Sequence, residues 1–178
     1  AKTLLRSIAV PGKRPSDILK ELNEKMMEHN ESEQFMTTWL MVIDLSTGIA
    51  DEVNAGHTKP AFCRGEKSYK LVSNSHSLAV GMGMDLPFQE NRWILQPGDK
   101  LFVYTDGVTE AENAKKEQFG KDRMLSALTG VRLQSQQEIL SRLKESVAAF
   151  AGEIAQTDDL TMLGFTFWGN EPTKTLEP

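Results

Sequence analysis

Apolar residues at helical spacing open the chain in two groups. The first group predicts a helix that ends near Pro11. The second predicts a helix that starts at Arg14-Pro15 and fades at residues 28–30, with an acid in its first turn and one apolar face (Leu19, Leu22 and Met26). Because neither a cap nor a methionine precedes the first group, we expect the sequence to begin inside a helix of a longer protein.

Short apolar segments bounded by turn residues follow, and each predicts a strand. The predicted strands cover residues 35–43, 49–54, 60–64, 68–72, 92–95, 100–105 and 160–167. The first is apolar on both faces, which predicts a strand covered on both sides. Turn residues between neighbouring segments predict three hairpins, formed by the first six strands in consecutive pairs.

Two later helices are predicted, one over residues 123–128 and one that starts at a capping box. In that box Ser135 precedes Glu138 by three residues, and the apolar stripe behind it is Ile139, Leu140, Leu143, Val147 and Phe150. Hairpins and separate helices together favour an α+β fold, with two packed antiparallel sheets and helices outside them. The expected domain covers residues 1–168, and the polar, proline-containing residues 169–178 are expected to form a loose tail.

Composition excludes several classes of protein. The 178 residues carry a net charge of −5, and a general nucleic-acid binder would show a basic excess. No apolar run approaches the ~20 residues needed to span a bilayer, so no membrane contact is expected. Cys63, the single cysteine, rules out an intrachain disulfide framework and fits the cytoplasm. It lies in a strand pattern and is interpreted as buried and inert.

Two aspartates stand where a predicted strand meets a turn, Asp106 after residues 101–104 and Asp158 before residues 160–163. If the two strands share an edge, these carboxylates can meet and form an oxygen-rich site for a hard divalent cation. Taken alone, Asp106-Gly107 is equally typical of a plain turn, and Asp158 of a turn cap. His57, in the segment Asn54-Ala55-Gly56-His57, could be a metal ligand or a general acid. The interpretation as a loop histidine that bonds nearby backbone is favoured, because no second histidine or cysteine lies at ligand spacing.

The motifs taken together are more specific than any one of them. NAGH, LxPGDKLFVYTDGVTEAEN, FG-KDR and TDDLTML occur in this order, and the chain closely resembles the PPM-type, metal-dependent serine/threonine phosphatases of the bacterial SpoIIE/RsbU-like branch. The resemblance covers nearly the whole chain. It implies a two-sheet sandwich flanked by helices (a four-layer αββα arrangement) with two Mn²⁺ or Mg²⁺ ions. It also implies that Asp106 and Asp158 are metal ligands, and that Asp159 supports the loop.

The same resemblance implies an activity and partners. Such enzymes hydrolyse phosphoserine or phosphothreonine by a hydroxide held between two metal ions. The implied substrate is an anti-sigma-factor antagonist in bacterial signalling, and the implied neighbour in the parent chain is an upstream sensor or receiver domain. No catalytic side chain is expected beyond the metal ligands.

The chain departs from the family pattern at its start. Two upstream motifs of the family, a Gly-Asp-Phe-Tyr-Asp-like and a Gly-Asp-Val-Ser-Gly-like string, do not occur in the sequence, and the first strands are expected to be absent with them. Either a longer parent protein carries them, or this chain cannot catalyse by itself. The alternative function is therefore a non-catalytic module that binds a phosphoprotein. A homodimer that pairs exposed strand edges is a further expectation.

Overall fold

The computed structural model describes residues 2–28, 33–154 and 158–169. The described residues form two compact units, one within residues 1–57 and 73–95 and one within residues 58–72 and 96–178. In chain order the elements are α1 (Lys2–Ile8), α2 (Pro15–Met27), β1 (Thr38–Ile43), β2 (Ile49–Ala55), β3 (Ala61–Cys63), β4 (Lys70–Leu71), β5 (Asn91–Ile94), β6 (Lys100–Tyr104), α3 (Gly107–Glu110), α4 (Gly120–Gly130), α5 (Gln136–Ala151) and β7 (Met162–Thr166). Each unit holds one antiparallel sheet with helices packed on it, so the α+β prediction with two antiparallel sheets is confirmed.

The first unit is built on a three-stranded sheet in the order β1-β2-β5. The predicted turn between β1 and β2 is confirmed, because the Asp44 N–H donates to the Ile49 carbonyl over 2.8 Å and the Gly48 N–H donates to the Asp44 carbonyl. The buried residues Ile18, Leu19 and Leu22 place the apolar face of α2 against β2. Burial of this face is what holds the helix in place, since a helix of this length is marginal by itself in water.

The prediction that residues 35–43 form a strand covered on both sides is wrong. The strand β1 starts only at Thr38 and pairs with β2 alone among the named strands. Its residues are half-buried except for Val42, whose exposed fraction is 40%, and Phe35 before the strand is 61% exposed. An edge strand has one backbone partner instead of two, so an apolar sequence on both faces did not imply full burial here.

The predicted hairpin between residues 92–95 and 100–105 is also wrong. The strand β5 pairs with β2, whereas β6 pairs with β3 on one side and β7 on the other. The turn between them bonds to the end of β7, because the Gly98 N–H donates to the Phe167 carbonyl over 2.7 Å and the Phe167 N–H donates to the Asp99 carbonyl over 2.9 Å. Once β3 and β7 occupy both edges of β6, no backbone groups remain there for β5.

The second unit is built on a four-stranded sheet in the order β4-β3-β6-β7, with β6 buried along its whole length. The hairpin of β3 and β4 is confirmed, although both strands are shorter than predicted. The capping box at Ser135 and Glu138 is confirmed, and Ile139, Leu143 and Val147 of the predicted stripe are fully buried. The stripe packs on the same core as Phe102 of β6, which attaches α5 to the sheet.

Two helices differ from the predictions. The helix α4 is longer than the predicted residues 123–128, and the short helix α3 stands where only a turn was predicted. Cys63 is buried as predicted, and burial raises the pKa of its thiol. The predictions for residues 29–30 and 170–178 lie outside the described residues. Within the described ranges no helix is long and apolar enough to cross a membrane.

Candidate metal site

The pairing of β6 with β7 brings the two candidate carboxylates to one edge of the second unit. The strands are antiparallel, with Tyr104 opposite Met162, so the end of β6 meets the start of β7. The contact extends one residue beyond the strands, because the Thr105 N–H donates to the Thr161 carbonyl over 3.0 Å. Asp106 follows this joint, and the segment Asp158-Asp159 lies just before β7.

Asp106 begins the short helix α3. Its carbonyl accepts hydrogen bonds from the N–H groups of Thr109 and Glu110, both over 2.8 Å, and from the Thr109 hydroxyl over 3.2 Å. Its carboxylate oxygen Oδ1 accepts from the Gly107 N–H over 3.2 Å. Asp106 is exposed.

Asp158 has a similar local arrangement. Its Oδ1 accepts a hydrogen bond from the Asp159 N–H over 2.7 Å, and both residues are exposed. In each loop the N–H of the following residue thus orients one oxygen of the aspartate carboxylate. For neither Asp106 nor Asp158 do the described residues provide a partner for the second oxygen. Exposed carboxylate oxygens of this kind can bind a cation.

Thr105 joins the two loops through its side chain. Its hydroxyl donates to the Asp159 carbonyl over 2.9 Å and accepts from the Thr161 N–H over 3.0 Å. The sequence analysis gave this residue no role. In the sequence, one threonine stands directly before Asp106 and another directly after Leu160. Their positions along the chain do not show that the two residues meet.

Gly107 allows the closest approach between the loops. A β-carbon at this position would lie 2.6 Å from the Asp159 carbonyl oxygen and 3.2 Å from its carbonyl carbon. Both are backbone atoms, so a side chain at position 107 would have to push the Asp158–Asp159 loop away. The glycine after Asp106 is therefore required by packing.

The last residue of β6 provides a rigid support beneath the joint. Tyr104 is 2% exposed and its ring stacks on Phe102 with a centroid distance of 5.6 Å. Burial raises the pKa of Tyr104 to about 12, and its hydroxyl has no hydrogen-bond partner among the described residues. The Tyr104 carbonyl accepts a hydrogen bond from the Thr58 hydroxyl. Asp106 thus lies two residues beyond a strand that is buried along its whole length.

The carboxylate oxygens at this edge are of the type found in a divalent-metal site, but they supply only part of one. Carboxylate oxygens are the ligands that Mn²⁺ and Mg²⁺ prefer. The described ranges contain no group of three or more histidine, cysteine, aspartate or glutamate side chains able to hold one ion. Asp106 and Asp158 therefore match the chemistry of the expected ions, while their number is below what two tightly bound ions need.

The NAGH segment lies in the first unit and has its own local structure. The Asn54 side chain is buried, and its Oδ1 accepts from the His57 backbone N–H over 2.9 Å. Gly56 has a φ of +72°, and a β-carbon there would lie 3.1 Å from the Ala79 β-carbon. These contacts agree with the interpretation of His57 as a loop residue. His76 is exposed.

Comparison with known proteins shows the family to which this chain belongs. The family model described as Stage II sporulation protein E (SpoIIE) matches residues 1–168. The chain therefore belongs to the SpoIIE family.

Two curated relatives are similar over part of their length. Protein IcfG of Synechocystis is 35% identical over 136 residues, which are 76% of this chain and 21% of the relative. The phosphoserine phosphatase RsbP of Bacillus subtilis is 29% identical over 103 residues, which are 56% of this chain and 25% of the relative. The chain thus spans about a fifth to a quarter of the length of these two relatives.

Solved structures share the fold. The SiaA-PP2C domain of Pseudomonas aeruginosa matches with a TM-score of 0.78 and 22% identity, over 93% of this chain and 68% of that one. A manganese-presoaked phosphatase domain of SpoIIE from Bacillus subtilis matches with a TM-score of 0.63 and 21% identity, over 96% of this chain and 74% of that one. The arrangement of strands and helices is therefore that of a PP2C-type domain.

Proposed function

We propose that this chain is the catalytic part of a metal-dependent phosphatase that hydrolyses phosphoserine or phosphothreonine in proteins. The observation that carries the proposal is the joint at which Thr105 ties the Asp106 turn to the Asp158–Asp159 loop. Membership of the SpoIIE family and similarity to a protein named as a phosphoserine phosphatase support it.

The proposed ligands of Mn²⁺ or Mg²⁺ are Asp106 and Asp158, with two ions expected in the complete domain. Such ions, when bound, lower the pKa of water and offset negative charge on phosphoryl oxygens. The chain's own contribution is to orient the carboxylates through backbone N–H groups and to fix the loops through Thr105. Cys63 is unsuited to act as a nucleophile, because it is buried and burial raises its pKa.

The proposal extends to the biological setting. The substrate class is a phosphorylated anti-sigma-factor antagonist, and the parent protein carries a sensor or receiver domain before this one. The proposed phosphatase domain comprises residues 1–168 and is followed by a tail of residues 169–178. We propose that it works in the cytoplasm. We also propose that it pairs with a second copy of itself. The extent of the family match supports the proposed boundary.

The test is phosphate release from a small aryl phosphate and from a phosphoprotein, with and without Mn²⁺. We expect Asp106→Asn and Asp158→Asn to reduce metal-dependent release at least a hundredfold, because each removes one charged ligand. The matched control is Asp122→Asn in the first turn of α4, an exposed aspartate that should leave release unchanged. Near wild-type release in the Asp106 variant would refute the assignment.

A second candidate function is a phosphoprotein-binding module without catalysis. It is favoured by the observation that the described ranges bring together fewer than three potential ligand side chains at any point. The discriminating result is tight binding of a phosphorylated partner with no phosphate release at saturating Mn²⁺. Metal-dependent turnover that is lost in Asp106→Asn would exclude this candidate.

A further inference from the structure

The segment before β3 continues along β6 after the pairing of the two strands has ended, within the second unit. Toward the aspartate edge, the last pair of this ladder is Ala61 opposite Phe102. In the same antiparallel register, the residues before Ala61 run beside the end of β6. There the Thr58 hydroxyl donates a hydrogen bond to the Tyr104 carbonyl. A side-chain bond thus follows where the backbone pairing of β3 with β6 stops.

The direction of the Tyr104 carbonyl follows from a bond on the other side of β6. The Thr105 N–H donates to the Thr161 carbonyl, directly before β7, over 3.0 Å. In a trans peptide group the N–H and the C=O point in opposite directions. Because the Thr105 N–H points towards β7, the Tyr104 carbonyl of the same peptide group points towards β3, the other neighbour of β6. The paired part of β3 begins only at Ala61, so the Thr58 hydroxyl supplies the donor that a longer strand would have supplied.

This peptide group lies in a buried part of the sheet. Tyr104 is buried and Thr58 is half-buried, and a buried carbonyl without a partner is costly. Without the Thr58 hydroxyl, the peptide group between Tyr104 and Thr105 would be held on the β7 side alone and would be freer to rotate. Asp106 is the next residue along the chain, and the Thr105 hydroxyl holds the Asp159 carbonyl over 2.9 Å. A rotation at this point therefore displaces both carboxylate-bearing loops.

We propose that Thr58 is a positioning residue for the metal site. Its hydroxyl fixes the last peptide group of β6, and with it the separation between the Asp106 turn and the Asp158–Asp159 loop. The inference rests on the proposed phosphatase function, because it concerns the two carboxylates assigned to bind Mn²⁺ or Mg²⁺. Thr58 acts through the Tyr104 carbonyl and contacts neither metal nor substrate in this role, so its loss weakens metal binding and leaves recognition of the phosphate ester unchanged.

Substitutions of Thr58 separate its hydroxyl from its size. Thr58→Val keeps the size and removes the hydroxyl, Thr58→Ser keeps the hydroxyl, and Thr58→Ala is a second variant without it. If one of the two variants without a hydroxyl fails to fold, the other decides the test.

The matched control is Thr129→Val on α4. Thr129 is also half-buried, and its hydroxyl accepts a hydrogen bond from the Tyr69 N–H over 3.1 Å. Tyr69 lies directly before β4, which β3 separates from β6. This control therefore loses a bond between a threonine hydroxyl and the backbone that does not involve β6.

Isothermal titration calorimetry measures Mn²⁺ binding to the full chain, and urea denaturation measures the stability of each variant. We expect Thr58→Val and Thr58→Ala to bind Mn²⁺ at least fivefold more weakly than the wild type, while Thr58→Ser and Thr129→Val stay within twofold of it. Hydrolysis of a small aryl phosphate should need a correspondingly higher Mn²⁺ concentration in the valine and alanine variants. The KM for the ester at saturating Mn²⁺ should stay within twofold, because substrate contacts are not changed.

Wild-type Mn²⁺ affinity in Thr58→Val and Thr58→Ala would overturn the proposal, even if both variants are less stable. Equal weakening in Thr58→Ser or in Thr129→Val would also overturn it, since the effect would then not come from the hydroxyl at position 58. The two proposals fail separately. Mn²⁺ binding that depends on Asp106 but not on Thr58 refutes the positioning role alone, whereas a wild-type chain that binds no Mn²⁺ refutes the metal site and the positioning role together.

Discussion

Replacing Thr105 with valine removes one hydroxyl from the joint between the two carboxylate-bearing loops. That hydroxyl makes hydrogen bonds of 2.9 Å to the Asp159 carbonyl and 3.0 Å to the Thr161 N–H. The backbone bond from the Thr105 N–H to the Thr161 carbonyl remains, so β6 and β7 stay paired. With about 0.5–1.5 kcal/mol for each lost hydrogen bond, the free energy of unfolding should fall by about 1–3 kcal/mol.

The same change should loosen the position of Asp158 relative to Asp106. We expect Mn²⁺ to bind at least tenfold more weakly to Thr105→Val than to the wild type, measured by isothermal titration calorimetry. Urea denaturation of the same samples gives the change in stability. Thr105→Ser is the matched control, because it keeps the hydroxyl and should retain most of the metal affinity.

Two results would refute this reasoning. Wild-type Mn²⁺ affinity in Thr105→Val would mean that the hydroxyl does not set the distance between the loops. Equal losses in the serine and valine variants would mean that the effect does not come from the hydroxyl, since only the valine variant lacks both hydrogen bonds.

Three further predictions concern neighbouring parts of the second unit. Gly107→Ala should abolish metal-dependent activity, because its β-carbon would lie 2.6 Å from a backbone oxygen, whereas Gly130→Ala meets nothing within 4 Å and should keep wild-type phosphate release. Burial raises the pKa of Tyr69 and of Tyr104 to about 12 from an ordinary 10.0. Between pH 10 and pH 12 the two phenols lose their protons in the unfolded chain but keep them in the folded one. The free energy of unfolding should therefore fall as pH rises from 10 to 12, by up to about 3 kcal/mol per tyrosine. Denaturant titrations across that range test it, and a flat profile would contradict it. Ser135→Ala removes the capping box of α5 and should lower the free energy of unfolding by about 1 kcal/mol in urea denaturation, while no change would mean that the cap is not needed.

Local features were predictable from the sequence because their physical causes lie within a few residues. The capping box of Ser135 and Glu138 sets the start of α5, and its apolar stripe sets the buried face. The hairpin of β1 and β2 follows from a short turn. The motif around Asp106 and the motif around Asp158 were each recognisable because their residue types and spacing are continuous along the chain.

The tertiary structure decided how these pieces meet. The partners of β6 are β3 and β7, whereas β5, the strand before β6 in the sequence, pairs with β2, because strand pairing depends on groups far apart in sequence. For the same reason the hydroxyl of Thr105 and the missing side chain of Gly107 acquire their roles only when the Asp159 backbone lies against them. Local sequence supplies the two aspartates, and the antiparallel pairing of β6 with β7, two strands far apart along the chain, brings their loops to one edge.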